Sequence, residues 1–320
     1  MTAARRETYL VLAIVIFSAI LGRAAFVPAS PAGVVTASEN YYSYEVGDPG
    51  AWFSAWAMGD GQSFALIAID PTGAKLGSEI LEAGYRFVRA GYGWAAWVVS
   101  SGRVDRVPVA LALVGALAIV GTALIAVRMR PRFGPRAWFL VLNPSLYIGF
   151  AGDTAEPLAI FFLAIALAWN APWAGAALGF TRPDFLVATI GRGRVFGAGV
   201  ATAAALVIYS AWRFGIAGLF GGSGVIAIPL AGYIDQSSLA GWALVTVALI
   251  TVGIGARRGD WVWVVSGIWV MCFGTAVTAN PANAWRVAGV LPVLWALGQK
   301  VVASERERAV QLEPMPADVA

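Results

Sequence analysis

The chain has no histidine, a single cysteine, and charged side chains at only 12% of its 320 positions. Each shortage excludes something. Without His there is no imidazole zinc site, no His-based nucleophile pair and no His-ligated haem. One cysteine, Cys272, supports neither a disulfide framework within the chain nor a Cys-rich metal site. Any catalysis therefore falls to Asp, Glu, Arg, Tyr, Ser or Gln. Soluble domains carry about 25% charged residues. Half that share, beside 59% hydrophobic residues, points to lipid. The net charge of +4 is small, and the basic residues gather in short connections. That pattern reads as membrane orientation, not nucleic-acid binding.

What the sequence does have is long apolar runs. A span takes about 20 such residues. Tyr9–Val27, behind Arg5 and Arg6, reads as a retained signal anchor, although "VPASPA" also offers small residues for cleavage. Further spans are expected at Val107–Val127, 137–150, 155–169, Val195–Trp212, Ser238–Gly255, Trp261–Ala279 and Ala284–Leu297. The run at 172–190 is long enough to cross but carries Arg182 and Asp184 at its middle. Each such charge costs about 2.5–3.5 kcal/mol on insertion scales. Pro183 also breaks the helix there, and such a break is tolerated only against protein or a cavity.

Loop charge decides how 172–190 is placed. With the N-terminus inside, "RMRPRFGPR" (128–136), with four Arg and no acid, is inside. If 172–190 is a re-entrant hairpin, "GRGR" (191–194), "ARRGD" (256–260) and the tail with Lys300, Arg306 and Arg308 are inside as well. If it crosses, all three go outside, against the positive-inside rule. The expected architecture is an all-α polytopic membrane protein. It has about eight transmembrane helices, one re-entrant broken helix and both termini cytoplasmic. Residues 1–298 make one integral-membrane domain, and 299–320 a solvated tail. No internal repeat is visible.

Residues 28–106 then form one long outer loop, with eight acids against five basic residues. Within it, 51–58 and 85–100 carry aromatic residues at helical spacing and read as interfacial helices. The stretch 63–70 reads as a short apolar helix. The same face receives "AGDTAEP" (151–157), the loop 213–237 and "NPANAWR" (280–286).

Four features of this layout resemble the GT-C superfamily of membrane glycosyltransferases. They are "GDGQSFALIAIDP", "YRFVRAGYGW", "NPSLYIGFAGDTAEP", and the pair "ALGFTRPDF" and "AWRVAGVLPVLWAL". Their order and side of the membrane are similar to GPI-type mannosyltransferases and their bacterial relatives. The resemblance implies transfer of a sugar, mannose first, from a polyprenyl-phosphate donor to a lipid or glycan acceptor on the outer face. The Ala-, Gly- and Arg-rich usage suggests a bacterial inner (cytoplasmic) membrane.

By that resemblance Asp60 is the general base, and Arg286 holds the departing phosphate. Arg86 and Arg89 are further phosphate candidates, and Gln62 and Tyr85 are candidates for sugar contacts. Asp153 and Glu156, three apart, form a second acidic site. They could join Asp60 around Mg²⁺ or Mn²⁺, since hard ions favour carboxylates.

Plainer readings stand beside these. Asp60 between two glycines fits an ordinary turn. "D-T-A-E-P" fits a capping box, with Asp153 as cap and Glu156 three residues on. Arg286 fits a snorkelling interfacial side chain, and Arg182 with Asp184 an internal ion pair. Two other functions also fit. A transporter or lipid flippase would use a broken, charged helix. A non-catalytic membrane partner would explain Gly59 where the family places an aromatic residue before Asp60.

Overall fold

The computed structural model describes residues 3–26, 60–75, 77, 80, 82–220, 229–236, 238–278 and 281–298. Among them the chain is almost wholly helical, without a β-strand. The longer helices are α1 (Ala3–Phe26), α2 (Asp60–Ile69), α3 (Gly91–Ser100), α4 (Val107–Phe133), α5 (Pro144–Ala151) and α6 (Glu156–Trp169). They continue with α7 (Pro172–Thr181), α8 (Gly193–Phe214), α9 (Leu239–Arg258), α10 (Trp261–Met271) and α11 (Val290–Leu297). Three helical stretches among the described residues are long and apolar enough to cross a membrane: Val104–Leu140, which contains α4, together with α8 and α9. Shorter apolar helices fill out the bundle, α6 and α10 among them. The expected interfacial segment at 51–58 and the tail 299–320 lie outside the described residues.

Helix ends follow local chemistry. Asn143 caps α5, its carboxamide oxygen accepting from Ser145 N at 3.1 Å. Asp260 caps α10, accepting from Val262 N at 3.1 Å. Ser238 caps α9 through Gly241 N at 3.0 Å. The expected run at 137–150 is divided: a 3-10 turn, Gly134–Leu140, ends before Asn143, and Pro144 opens α5. The last expected run is divided too, into Pro281–Val287 and α11. The two breaks dock on each other. Asn143 Nδ2 donates to Gly289 O at 2.8 Å, and Ser145 Oγ to Trp285 O at 2.8 Å. Polar groups freed by one broken helix are thus satisfied by the other.

The helices between Asp60 and Ser100 pack against the bundle. α2 is apolar on every side, with Phe64, Ala65, Leu66, Ile67 and Ala68 at most 2% exposed. Such a helix must be surrounded, and it lies in a small core with α3 and the first half of α4. The stretch read as one interfacial helix at 85–100 is two pieces, Ala83–Phe87 and α3. Tyr92, Gly93 and Ala96 are buried, while Trp97, Val98 and Val99 are exposed.

The chain between α6 and α8 runs out and back. α7 packs antiparallel on α6, and Arg182, just past its end, reaches Glu156 at the start of α6. The 3-10 segment Pro183–Thr189 then returns, and Arg192 donates to Ala166 O near the end of α6 at 3.2 Å. The ten residues of α7 rise about 15 Å, and the seven of the 3-10 segment about 14 Å, so the two limbs match. α8 then runs alongside α7 in the same direction. A Cβ on Gly175 would lie 2.2 Å from Val195 O, and one on Gly179 2.2 Å from Gly199 O.

The bundle has two distinct ends. At one, Glu7 early in α1 pairs with Arg130 late in α4. Phe139 meets Trp295 with ring centroids 5.7 Å apart, and Trp295 lies 6.4 Å from Trp263. A Cβ on Gly191 would lie 3.2 Å from Val262 Cγ2. These contacts bring the connections 128–136, 191–194 and 256–260 to one end, with Arg128, Arg130, Arg132, Arg194, Arg257 and Arg258 exposed. The opposite end holds the tip of the out-and-back segment.

Candidate active site

At that opposite end charge is buried and paired. The backbone at Arg182 leaves the helix because Pro183 follows it, which frees the guanidinium to reach in two directions. Arg182 Nε donates to Asp184 Oδ1 at 2.9 Å, and Nη2 to Oδ2 at 2.6 Å, a bidentate pair. Its Nη1 donates to Glu156 Oε1. Arg286 Nε lies 3.5 Å from the same Glu156 oxygen. Glu156 therefore sits between two guanidiniums, with Arg182 3% and Glu156 1% exposed. The Phe185 ring lies beneath Arg182, 5.1 Å from Cζ.

A second group abuts this one. Arg89 lies over the Tyr85 ring at 4.4 Å and Arg86 at 5.6 Å. Arg86 also pairs with Glu82 at 3.9 Å and is 6% exposed. Arg89 lies close enough to Asp184 for the two charges to attract. The acidic loop motif completes the set through its backbone. A Cβ on Gly61 would lie 2.3 Å from Gly152 O and 3.2 Å from Asp153 Cβ. Only a glycine lets the start of α2 approach the 152–153 turn so closely.

The residues expected from sequence thus meet in part. Glu156 and Arg286 are in contact, Tyr85, Arg86 and Arg89 are stacked together, and the α2 start lies on Gly152 and Asp153. Asp60 opens α2, but its side chain and that of Gln62 lie outside the described residues. Asp153 and Glu156 do not share a helix face. Asp153 is fully buried in a left-handed turn at φ 49°, before α6 begins.

The capping-box alternative also fails. Ala155 is the cap residue, without a side-chain cap, and Glu156 is the first helical residue, turned to Arg182. Among the described residues no three acids or cysteines group as a metal site. Glu156 Oε1 faces the guanidiniums of Arg182 and Arg286. Arg182 and Asp184 were read from sequence as an internal pair. Their link to Glu156, which makes Arg182 the hub, was not. The available signal was three charges in two neighbouring apolar runs, which must find one another.

No protein-family model matches the chain, and neither a curated protein nor a solved structure matches it.

Proposed function

We propose that the chain is a GT-C-like membrane glycosyltransferase. It moves a sugar, mannose first, from a polyprenyl-phosphate donor to a lipid or glycan acceptor on the outer face of a bacterial inner membrane. The observation that carries this reading is convergence. The start of α2 lies on Gly152–Asp153, and Glu156 is bound by Arg182 and Arg286, so four separate motifs meet at one end. In this topology eight helices span the membrane and 172–190 is the re-entrant hairpin. Both termini and the exposed arginines are cytoplasmic. The return of Arg192 to the Ala166 end of α6 supports that arrangement.

The chemistry follows from the residue types. Asp60 takes the proton of the acceptor hydroxyl. The acceptor oxygen bonds to the anomeric carbon as the bond to the donor phosphate breaks. The Arg286 guanidinium stabilises the negative charge that develops on the phosphate. Glu156 and Arg182 hold Arg286 in place. Asp153 shapes the turn on which the catalytic loop sits, Arg86, Arg89 and Tyr85 line the approach, and Gln62 is assigned a sugar contact by the family resemblance alone.

The test is transfer of radiolabelled mannose from polyprenyl-phosphate-mannose to endogenous acceptors, in membranes with matched levels of wild type, Asp60→Asn or Arg286→Ala. Activity in wild type and its loss in Asp60→Asn supports the reading. Activity untouched by Asp60→Asn removes Asp60 as base. A second reading, a lipid transporter, rests on the charged break at Arg182. It predicts lipid translocation by wild type in vesicles with no covalent transfer.

A further inference from the structure

α5 opens on Asn143-Pro144-Ser145. Pro144 has no N–H to satisfy at the first helical position, and it keeps Asn143 extended at ψ 112°. From there the Asn143 carboxamide works in two directions. Its oxygen accepts from Ser145 N at 3.1 Å, and its nitrogen donates to Gly289 O at 2.8 Å. An Asp carboxylate would keep the acceptor and lose the donor. Ser145 makes the second link. Its hydroxyl donates to Trp285 O at 2.8 Å, the carbonyl of the peptide bond that leads into Arg286. A Cβ on Gly289 would lie 2.7 Å from Ser145 Cβ, so glycine is needed for this approach. Both Asn143 and Ser145 are fully buried. The backbone is therefore held one residue before Arg286 and three residues after it.

α5 carries this anchor to the rest of the site. It rises about 12 Å to Gly152 and Asp153, the turn on which the start of α2 packs. Near that end a Cβ on Gly149 would lie 3.0 Å from Glu156 Cβ, and Thr154 N donates to Gly149 O at 2.9 Å. Glu156 is the carboxylate that meets Arg286. One short helix thus sets the Arg286 backbone at its first turn. At its last turn it sets the carboxylate partner of Arg286 and the seat of α2.

We propose that Asn143 and Ser145 are positioning residues for Arg286. They fix its backbone so that the guanidinium is presented to a lipid phosphate beside the start of α2. The proposal rests on the reading of Arg286 as the group that holds the phosphate, and it names what aims that group.

The experiment is native mass spectrometry of the full chain in detergent, titrated with decaprenyl phosphate or with decaprenol as the uncharged control. The readout is the ratio of the two affinities, taken on folded protein, so a loss of stability alone does not move it. Wild type should favour the phosphate, and Arg286→Ala should lower that preference about tenfold. Ser145→Ala should lower it about threefold, and Asn143→Asp at least as much. In an Arg286→Ala background neither should add a further loss. Thr122→Ala removes a buried hydroxyl bonded within α4 and should leave the ratio unchanged. Ser145→Ala takes away a single hydroxyl, so it carries the test if Asn143→Asp does not fold. No phosphate preference in wild type, or no effect of Ser145→Ala, would overturn the proposal. So would a further loss from Ser145→Ala on top of Arg286→Ala, or an equal loss in Thr122→Ala. The expected pattern without any transfer of mannose would keep the positioning role and remove the glycosyltransferase reading.

Discussion

The two ends of the bundle use the same residue in opposite ways. At one, Arg128, Arg130, Arg132, Arg194, Arg257 and Arg258 are exposed. At the other, Arg86 and Arg182 are buried and Arg286 nearly so, with Glu82, Glu156 and Asp184 as partners. An exposed guanidinium keeps its hydration and costs the fold little. A buried one is stable only while its partners remain. Loop-charge rules explain the first end. They say nothing of the second, where charge has been taken from water and fixed in one geometry. Fixed, dehydrated charge is what phosphate chemistry requires.

That contrast orders the expected effects of mutation. Arg182→Ala leaves the buried Glu156 with Arg286 alone and removes the bidentate partner of Asp184, and should cost about 3–5 kcal/mol, read as a fall in midpoint on denaturant unfolding in detergent. Arg194→Ala at the exposed end should stay within about 0.5 kcal/mol in the same experiment. Gly61→Ala forces a methyl against the Gly152 carbonyl and should cost about 1–3 kcal/mol. Gly193→Ala is its counterpart at the other end. A Cβ there meets nothing within 4 Å, so thermal stability should hardly change. Arg130→Gln is also small. Its pair with Glu7 is 46% and 34% exposed, and its loss should cost no more than about 1 kcal/mol.

Much of this was legible in the sequence where the signal is local. The spans expected at 195–212 and 238–255 are α8 and α9, and the apolar helix expected at 63–70 is α2. Pro183 announced the break, because its ring removes a helix hydrogen bond and disfavours helical backbone at Arg182. What failed depended on partners far away in the chain. Nothing near Glu156 shows that it belongs to Arg182, 26 residues on. A capping box is a short-range pattern, and it lost to that ion pair once Asp153 took a left-handed turn. The Trp and Arg of 85–100 suit headgroups, but that local signal says nothing of Tyr92, which donates to Leu111 O at 2.8 Å inside the bundle. The docking of Asn143 on Gly289 is a contact between two broken helices 146 residues apart, and a search for unbroken spans passes over it.

Everything above rests on the chain turning back at Arg182, since that turn makes the ends differ. The most direct test is cysteine labelling in intact cells with a membrane-impermeant maleimide. Single cysteines would replace Arg132, Arg194 or the exposed Ile216 in a Cys272→Ser background. The account predicts that Arg132→Cys and Arg194→Cys are both protected until the membrane is opened, while Ile216→Cys labels at once. Labelling of the Arg132 and Arg194 positions from opposite sides would mean that 172–190 crosses, and would contradict it.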